Sequence, residues 1–426
     1  MYGSQSHERR QAMKALRNQS IKIITGYTIL GFCNVILSNI IFSSSYLIIP
    51  YSRPIVLLIQ LLPALFAKLL APHALLPYLP WKLRPFLFAG CWSLAVFVAS
   101  VTPANVPAVW RVLVVLLAAA TAAVTDVSSF GHLRHFGRAG LAGWGIGTGA
   151  ASLLWAVAPY VVTVSAHVVL RTALDYAHYF VGAGLVAHSM VLRRPPVFTC
   201  TTVDSIKYDA RAAEEGSGEF VVQEPPPPQH DDEDGPTTWA GRFEHNLRLV
   251  DPLAKPYIRT LCFAFTLQAL VAPGISRAYG RSAVFGTFET FTAVYNLAFQ
   301  AGNLVSRSTI LLVRIRHLAR LTSLLAVVVA ALLLNGVAAL VVSPYLVLPA
   351  LFAAGLLGGA VYANIFASAL EQMATDKPAD AEFGLGVIST GETVGILCGS
   401  LLAALTEQSL CSVDARNGTR WCYTTS

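Results

Sequence analysis

Asn296 to Arg320 reads NLAFQAGNLVSRSTILLVRIRHLAR, an apolar segment interrupted by Gln300, Asn303 and Arg307 and closed by the basic cluster Arg314, Arg316, His317 and Arg320. An apolar run that carries amides and a guanidinium at bilayer depth reads as a membrane helix whose polar face looks into protein or water. The rest of the chain agrees with a membrane setting. Only 12% of its residues are charged and 55% are hydrophobic, with a mean hydropathy of +0.58, whereas a soluble domain is roughly one-quarter charged.

Apolar runs lie at 21–50, 54–75, 83–101, 106–127, 139–164 and 167–192, and again at 256–275, 284–313, 321–342, 345–370 and 383–405. Each is long enough to cross a hydrocarbon core of about 30 Å as a helix, and a helix satisfies its own backbone hydrogen bonds, as lipid requires. The expected fold is an all-α polytopic membrane protein with about eleven transmembrane helices in two halves. The first run is too long and too far from the start for a cleaved signal and is read as a signal-anchor, with Gly31 or Asn34 as the place for a kink.

Basic residues mark alternate connections: Lys82 with Arg84, Arg134 with Arg138, Arg193 with Arg194, and Arg314 to Arg320. The positive-inside rule places these, and the polar arm 1–20, in the cytosol. The net charge of +7 is thereby explained as topology. Lys and Arg form no single basic face with interleaved aromatics, so a nucleic-acid partner is not expected. The chain divides into the arm 1–20, an N-terminal bundle 21–194, a loop 195–252, a C-terminal bundle 253–405 and a tail 406–426. The loop, with Pro225 to Pro228 and the acidic run Asp231 to Asp234, cannot bury a core and is read as disordered and cytosolic. Its acidic run is either a merely solvating segment or a docking site for trafficking adaptors. The tail falls on the lumenal side, where the sequon Asn417-Gly418-Thr419 could be glycosylated and Cys411 and Cys422 could form a disulfide. The remaining cysteines show no metal-ligand spacing, and no metal or cofactor is expected.

Residues Tyr295 to Gly302 (YNLAFQAG) with Ser306-Arg307-Ser308 resemble the YQxxYQxGxxxSRS signature of the battenin family of lysosomal and vacuolar membrane proteins. Gly355 to Asn364 (GLLGGAVYAN) looks like that family's GLLGGAxYxN helix, and so brings Tyr362 and Asn364 into the candidate set. Gly143-Trp144 with Gly147-Thr148-Gly149, and Leu62-Pro63 with Lys68 to Pro72, match two further family segments. The chain departs from the pattern at Asp126, where the family has an intramembrane Glu, and in its last helix, where Gly391-Glu392-Thr393 replaces an SDT triplet. The resemblance is to a fungal-type homologue. It implies a major-facilitator-like, multi-pass protein of the vacuolar or lysosomal membrane, acting on basic amino acids such as arginine or on glycerophosphodiesters, and on vacuolar pH.

Ionisable groups at bilayer depth cost about 2.5 to 3.5 kcal/mol on insertion scales, so Asp126, Arg171, Asp175, Glu289, Arg307 and Glu392 each need a partner or water. Proton coupling requires a carboxylate that can load on one side and release on the other, and Asp126 and Glu392 are the candidates, one from each half. Asp126 could instead mark a helix end near His132, Arg134 and Arg138. Arg307 either clamps an anionic phosphodiester through its planar donor fork or closes a cytosolic salt bridge. Asn296, Gln300 and Asn303 share a helix face, suited to a hydrophilic solute or to interhelical packing. No GxSxG or HExxH occurs, which argues against hydrolase or metalloprotease chemistry. The expected function is small-solute transport by alternating access, and the alternative is a non-transporting scaffold acting through the acidic loop.

Overall fold

In a computed structural model of the chain, the described residues are 2–48, 53–101, 107–162, 170–191, 239–271, 287–338, 343–376 and 380–416. They are helical almost throughout. The N-terminal group is α1 (Tyr2–Ile48), α2 (Arg53–Leu70), α3 (Arg84–Val101), α4 (Ala108–Tyr160) and α5 (Leu170–Val186). After α6 (Trp239–Leu253) come α7 (Arg259–Ala269), α8 (Phe288–Ser308), α9 (Leu318–Ala338), α10 (Pro344–Asp376), α11 (Ala381–Ile388) and α12 (Thr390–Arg416). Asn417 and Cys422, and the loop residues 192–238 with their acidic run, lie outside the described residues, as do the side chains of Arg171, Asp175, Glu289 and Cys411.

Among the described residues, seven helical segments are long and apolar enough to cross a membrane. One of them, Val109–Tyr160, has 52 residues and at 1.5 Å per residue is about 78 Å long, enough for two crossings. It is broken at Gly137, the chain's positive-φ glycine among the described residues (φ 59°, ψ −148°). That conformation is open to glycine and strained for other residues, so Gly137 divides α4 into the two arms expected from the separate runs. The remaining apolar runs correspond to α5, α7 and α8. The first two are short, with 17 and 11 residues, and α8 carries the polar interruptions.

Two expectations are modified. The last part of the stretch read as a disordered loop is helical, because α6 docks Phe243 against His73 and sets Asn246 within hydrogen-bond distance of His73 Nδ1 (3.1 Å). A composition reading averages this short amphipathic segment with the Pro-rich residues before it. Helix α1, for its part, runs unbroken through Gly31 and Asn34 and takes in the polar arm.

The halves meet where α4 packs on α8, α10 and α11, and where α2 packs on α12. Glycines allow the closest approaches. A Cβ on Gly302 of α8 would fall on the carbonyl oxygen of Phe352, and one on Gly355 of α10 on that of Phe299. Removing side chains in this way lets membrane helices gain dispersion contact where lipid offers no hydrophobic drive. Residue Thr287 caps α8 by accepting from Thr290 N at 3.2 Å, fixing where the polar helix begins.

Candidate functional site

Helix α2 buries Lys68, which is 3% exposed, inside an otherwise apolar run. Its Nζ lies 3.2 Å from Asp126 Oδ2 of α4 and 3.9 Å from Glu392 Oε2 of α12, and donates a long 3.4 Å bond to the Ser389 carbonyl at the turn between α11 and α12. Asn34 of α1 completes the shell, donating Nδ2 to Asp126 Oδ1 at 2.7 Å and to the Ala122 carbonyl at 3.3 Å. A lone ammonium or carboxylate here would cost several kcal/mol in desolvation. One cation shared by two carboxylates lowers that cost and ties the N-terminal half to the C-terminal half.

Arg307 of α8 adjoins this cluster. It is 9% exposed, and Lys68, Asp126 and Arg307 all lie within electrostatic reach of Glu392. Its guanidinium carbon sits 4.1 Å from the centre of the Tyr362 ring, and one terminal nitrogen donates to Thr148 Oγ1 at 3.2 Å. Trp144 Nε1 donates to the Tyr362 hydroxyl at 3.2 Å, fixing that ring. Arg307 Nε is buried without a hydrogen-bond partner, and among the described residues Arg307 makes no ion pair. The guanidinium is thus held by an aromatic face and a hydroxyl, with one donor left unfilled. Lys68, Arg307, Asp126 and Glu392 together balance their formal charges.

The amide face of α8 is also in place. Asn303 is 4% exposed and donates to Gln300 Oε1 at 3.4 Å, while Asn303 Oδ1 has no partner. Asn296 is half-buried one turn further along. Asn364 is placed elsewhere: it donates to the Ala360 carbonyl and accepts from Ile315 N (2.8 Å) and from Arg314 (3.2 Å), so it anchors the basic connection after α8.

That basic end carries a second network across the halves. Glu382 of α11 accepts from Arg84 at 2.7 Å and lies 3.6 Å from Arg134. Glu371 of α10 takes Arg138 at 2.5 Å and Arg314 at 3.0 Å. Both carboxylates are about a third or more exposed (31% and 41%), so water and salt weaken these bridges. Glu371→Gln should therefore cost about 1 kcal/mol or less in stability. The same change should make the basic end more accessible to thiol or protease probes, and unchanged accessibility with unchanged melting would show that the network does not hold that end shut.

The sequence reading named Asp126, Glu392, Arg307 and the amides as candidates, quoted Lys68, Trp144 and Thr148 only as parts of family segments, and gave Asn34 only as the place for a kink. Lys68 could have been found by the rule that selected the others, since it too is an ionisable group inside an apolar run. Nothing in the spacing marks Asn34 or Thr148, whose roles arise from packing.

Known proteins resemble the chain over nearly its whole length. The family model described as "CLN3 protein" matches residues 25–413. Protein btn-1 of Neurospora crassa is 26% identical, over 96% of this chain and 92% of that protein. BTN1 of Chaetomium globosum is 27% identical, over 95% and 92%. Among solved structures, the Escherichia coli fucose:proton symporter FucP is a remote likeness, with a TM-score of 0.49 and 12% identity over 94% of this chain and 98% of that one. The chain belongs to the CLN3, or battenin, family of membrane proteins.

Proposed function

We propose that the protein is a membrane transporter that moves a small polar solute by alternating access, coupled to protons, in the vacuolar or lysosomal membrane. The observation that carries this reading is Lys68 held between Asp126 of one half and Glu392 of the other. Protonating either carboxylate removes one of the two charges that hold Lys68, so proton loading loosens the contact between halves. Return of the proton restores it. Arg307, with an unpartnered Nε and no carboxylate within salt-bridge distance among the described residues, favours a solute with an anionic phosphodiester over a purely cationic one.

The test is a thermal-shift series on the purified protein at pH 5 and pH 7, with glycerophosphocholine and arginine as probes. A ligand of the folded state raises its stability by about 2.7 kcal/mol at one hundred times Kd. A shift with glycerophosphocholine that Arg307→Gln removes supports the phosphodiester reading, and a shift with arginine alone moves the site to Asp126 and Glu392. No shift with either, and no flux in proteoliposomes, would leave the scaffold reading ahead. In the same vesicles Glu392→Gln should abolish the pH dependence of uptake, and unchanged pH dependence would remove Glu392 from the coupling.

A further inference from the structure

Within the N-terminal half, α1, α3, α4 and α5 line a partly open cavity of about 50 Å³ whose walls include Asn34, Trp81, Arg84, Ser129, Gly184 and His188. It has room for roughly three waters. Two of its walls carry buried polar atoms with no partner in the protein, Asn34 Oδ1 and Trp81 Nε1, one an acceptor and the other a donor. Asn34 itself is 4% exposed. Neither atom has accessible surface as placed, and an acceptor buried unfilled is expensive, so a turn of the Asn34 amide toward water in the cavity would relieve that cost.

We infer that this cavity is a water-filled side route through which Asp126 exchanges its proton with the cytosol, with Asn34 as the door between water and carboxylate. Asn34 is a positioning residue at that door: it lines the cavity, and its Nδ2 binds Asp126. The groups facing Asp126 are Asn34 from α1 and Lys68 from α2, with Glu392 from α12 and Tyr362 from α10 in electrostatic reach. On the cavity side stand Cys33, Arg84 and His188, and the arginine is already committed to Glu382 and to two backbone carbonyls. In the exchange Asn34 swings aside and the O–H bond of the Asp126 carboxyl breaks. A new O–H bond forms on the adjacent water, and the positive charge leaves along the water chain past His188 to the basic end. The carboxylate, now anionic, pairs with Lys68 again. The solute path between the halves need not open for this step.

The inference rests on the proton-coupled reading above, and its test separates the two. Gly184 lines the cavity, and a Cβ added there would meet Cys33 Cβ at an ordinary 3.6 Å, so the remaining carbons of Gly184→Leu would extend into the cavity. Two measurements are made in proteoliposomes with whichever of glycerophosphocholine or arginine binds: uptake driven by a pH gradient, followed with an entrapped pH dye, and solute counterflow at equal pH. Gly184→Leu should slow gradient-driven uptake and its proton signal by about ten-fold or more while counterflow stays within about two-fold. Equal loss of both, or no loss of either, overturns the route. Absence of gradient-driven uptake in the wild type would instead overturn the proton-coupled reading. If Gly184→Leu does not fold, Ala89→Leu decides, since Ala89 lines another wall of the same cavity. It should slow gradient-driven uptake but not counterflow, and equal loss of both, or no loss of either, overturns the inference.

Discussion

Lys68→Ala should abolish solute uptake and destabilise the folded protein by about 3 kcal/mol, the lower part of the range for breaking a buried ion pair by removing one partner. The side chains of Asp126 and Glu392 are 22% and 19% exposed, so water softens the penalty of leaving them without their cation but does not remove it. The design that separates stability from function is the triple change Lys68→Met, Asp126→Asn and Glu392→Gln. It removes every charge at once, and so should recover most of the lost stability, because a neutral set of similar volume avoids desolvating ions. Uptake should stay absent, since nothing remains to couple to a proton. Melting temperature in detergent and flux in vesicles give the two readouts. A Lys68→Ala protein that melts and transports like the wild type would show that the cluster is incidental.

Gly355→Ala should cost about 1 to 3 kcal/mol, and Gly355→Leu should yield no folded protein. Alanine is the better helix former by about 1 kcal/mol, so the sign must come from packing. At Gly355 the added carbon would fall on the Phe299 carbonyl, 3.2 Å from Asn303 N, and the facing Gly302 is equally constrained by Phe352. Pushing α8 from α10 also moves Arg307 away from the Tyr362 ring, so a surviving Gly355→Ala protein should bind solute more weakly. Gly90→Ala and Gly182→Ala are the controls. Neither added carbon meets anything within 4 Å, and both should be neutral or mildly stabilising. A Gly355→Ala protein as stable as these controls would mean that α8 and α10 are not in backbone contact.

These two experiments probe different levels of the molecule, and the sequence bears on them unequally. The polar face of α8 was legible as amides sharing one side of an apolar helix, because amides have few other reasons to interrupt such a run, and the glycine-rich run 355–359 was legible as part of a family pattern. Asp126 and Glu392 stood out for the same reason. Their shared partner was not predicted, although Lys68 lies in a segment already singled out for its family pattern. The placement of Asn364 also needed the structure. Its motif sets it two residues from Tyr362, yet Tyr362 supports Arg307 while Asn364 holds the Arg314 connection, because each helical step turns about 100° and residues two apart point to nearly opposite sides.

What the chain alone determined was its class, its two groups of membrane helices, the two separate runs that form the arms of α4, and the family to which it belongs. Hydropathy and motif are properties of local sequence, and lipid enforces them segment by segment through the requirement that each span satisfy its own backbone. Tertiary structure decided which charges share a partner, that Arg307 rests on an aromatic ring and carries no salt bridge among the described residues, and that Asn34 stands between Asp126 and a cavity. Those are pairings between side chains on helices far apart along the chain, and the energy of a buried charge depends on the few ångströms around it, which helix packing alone sets.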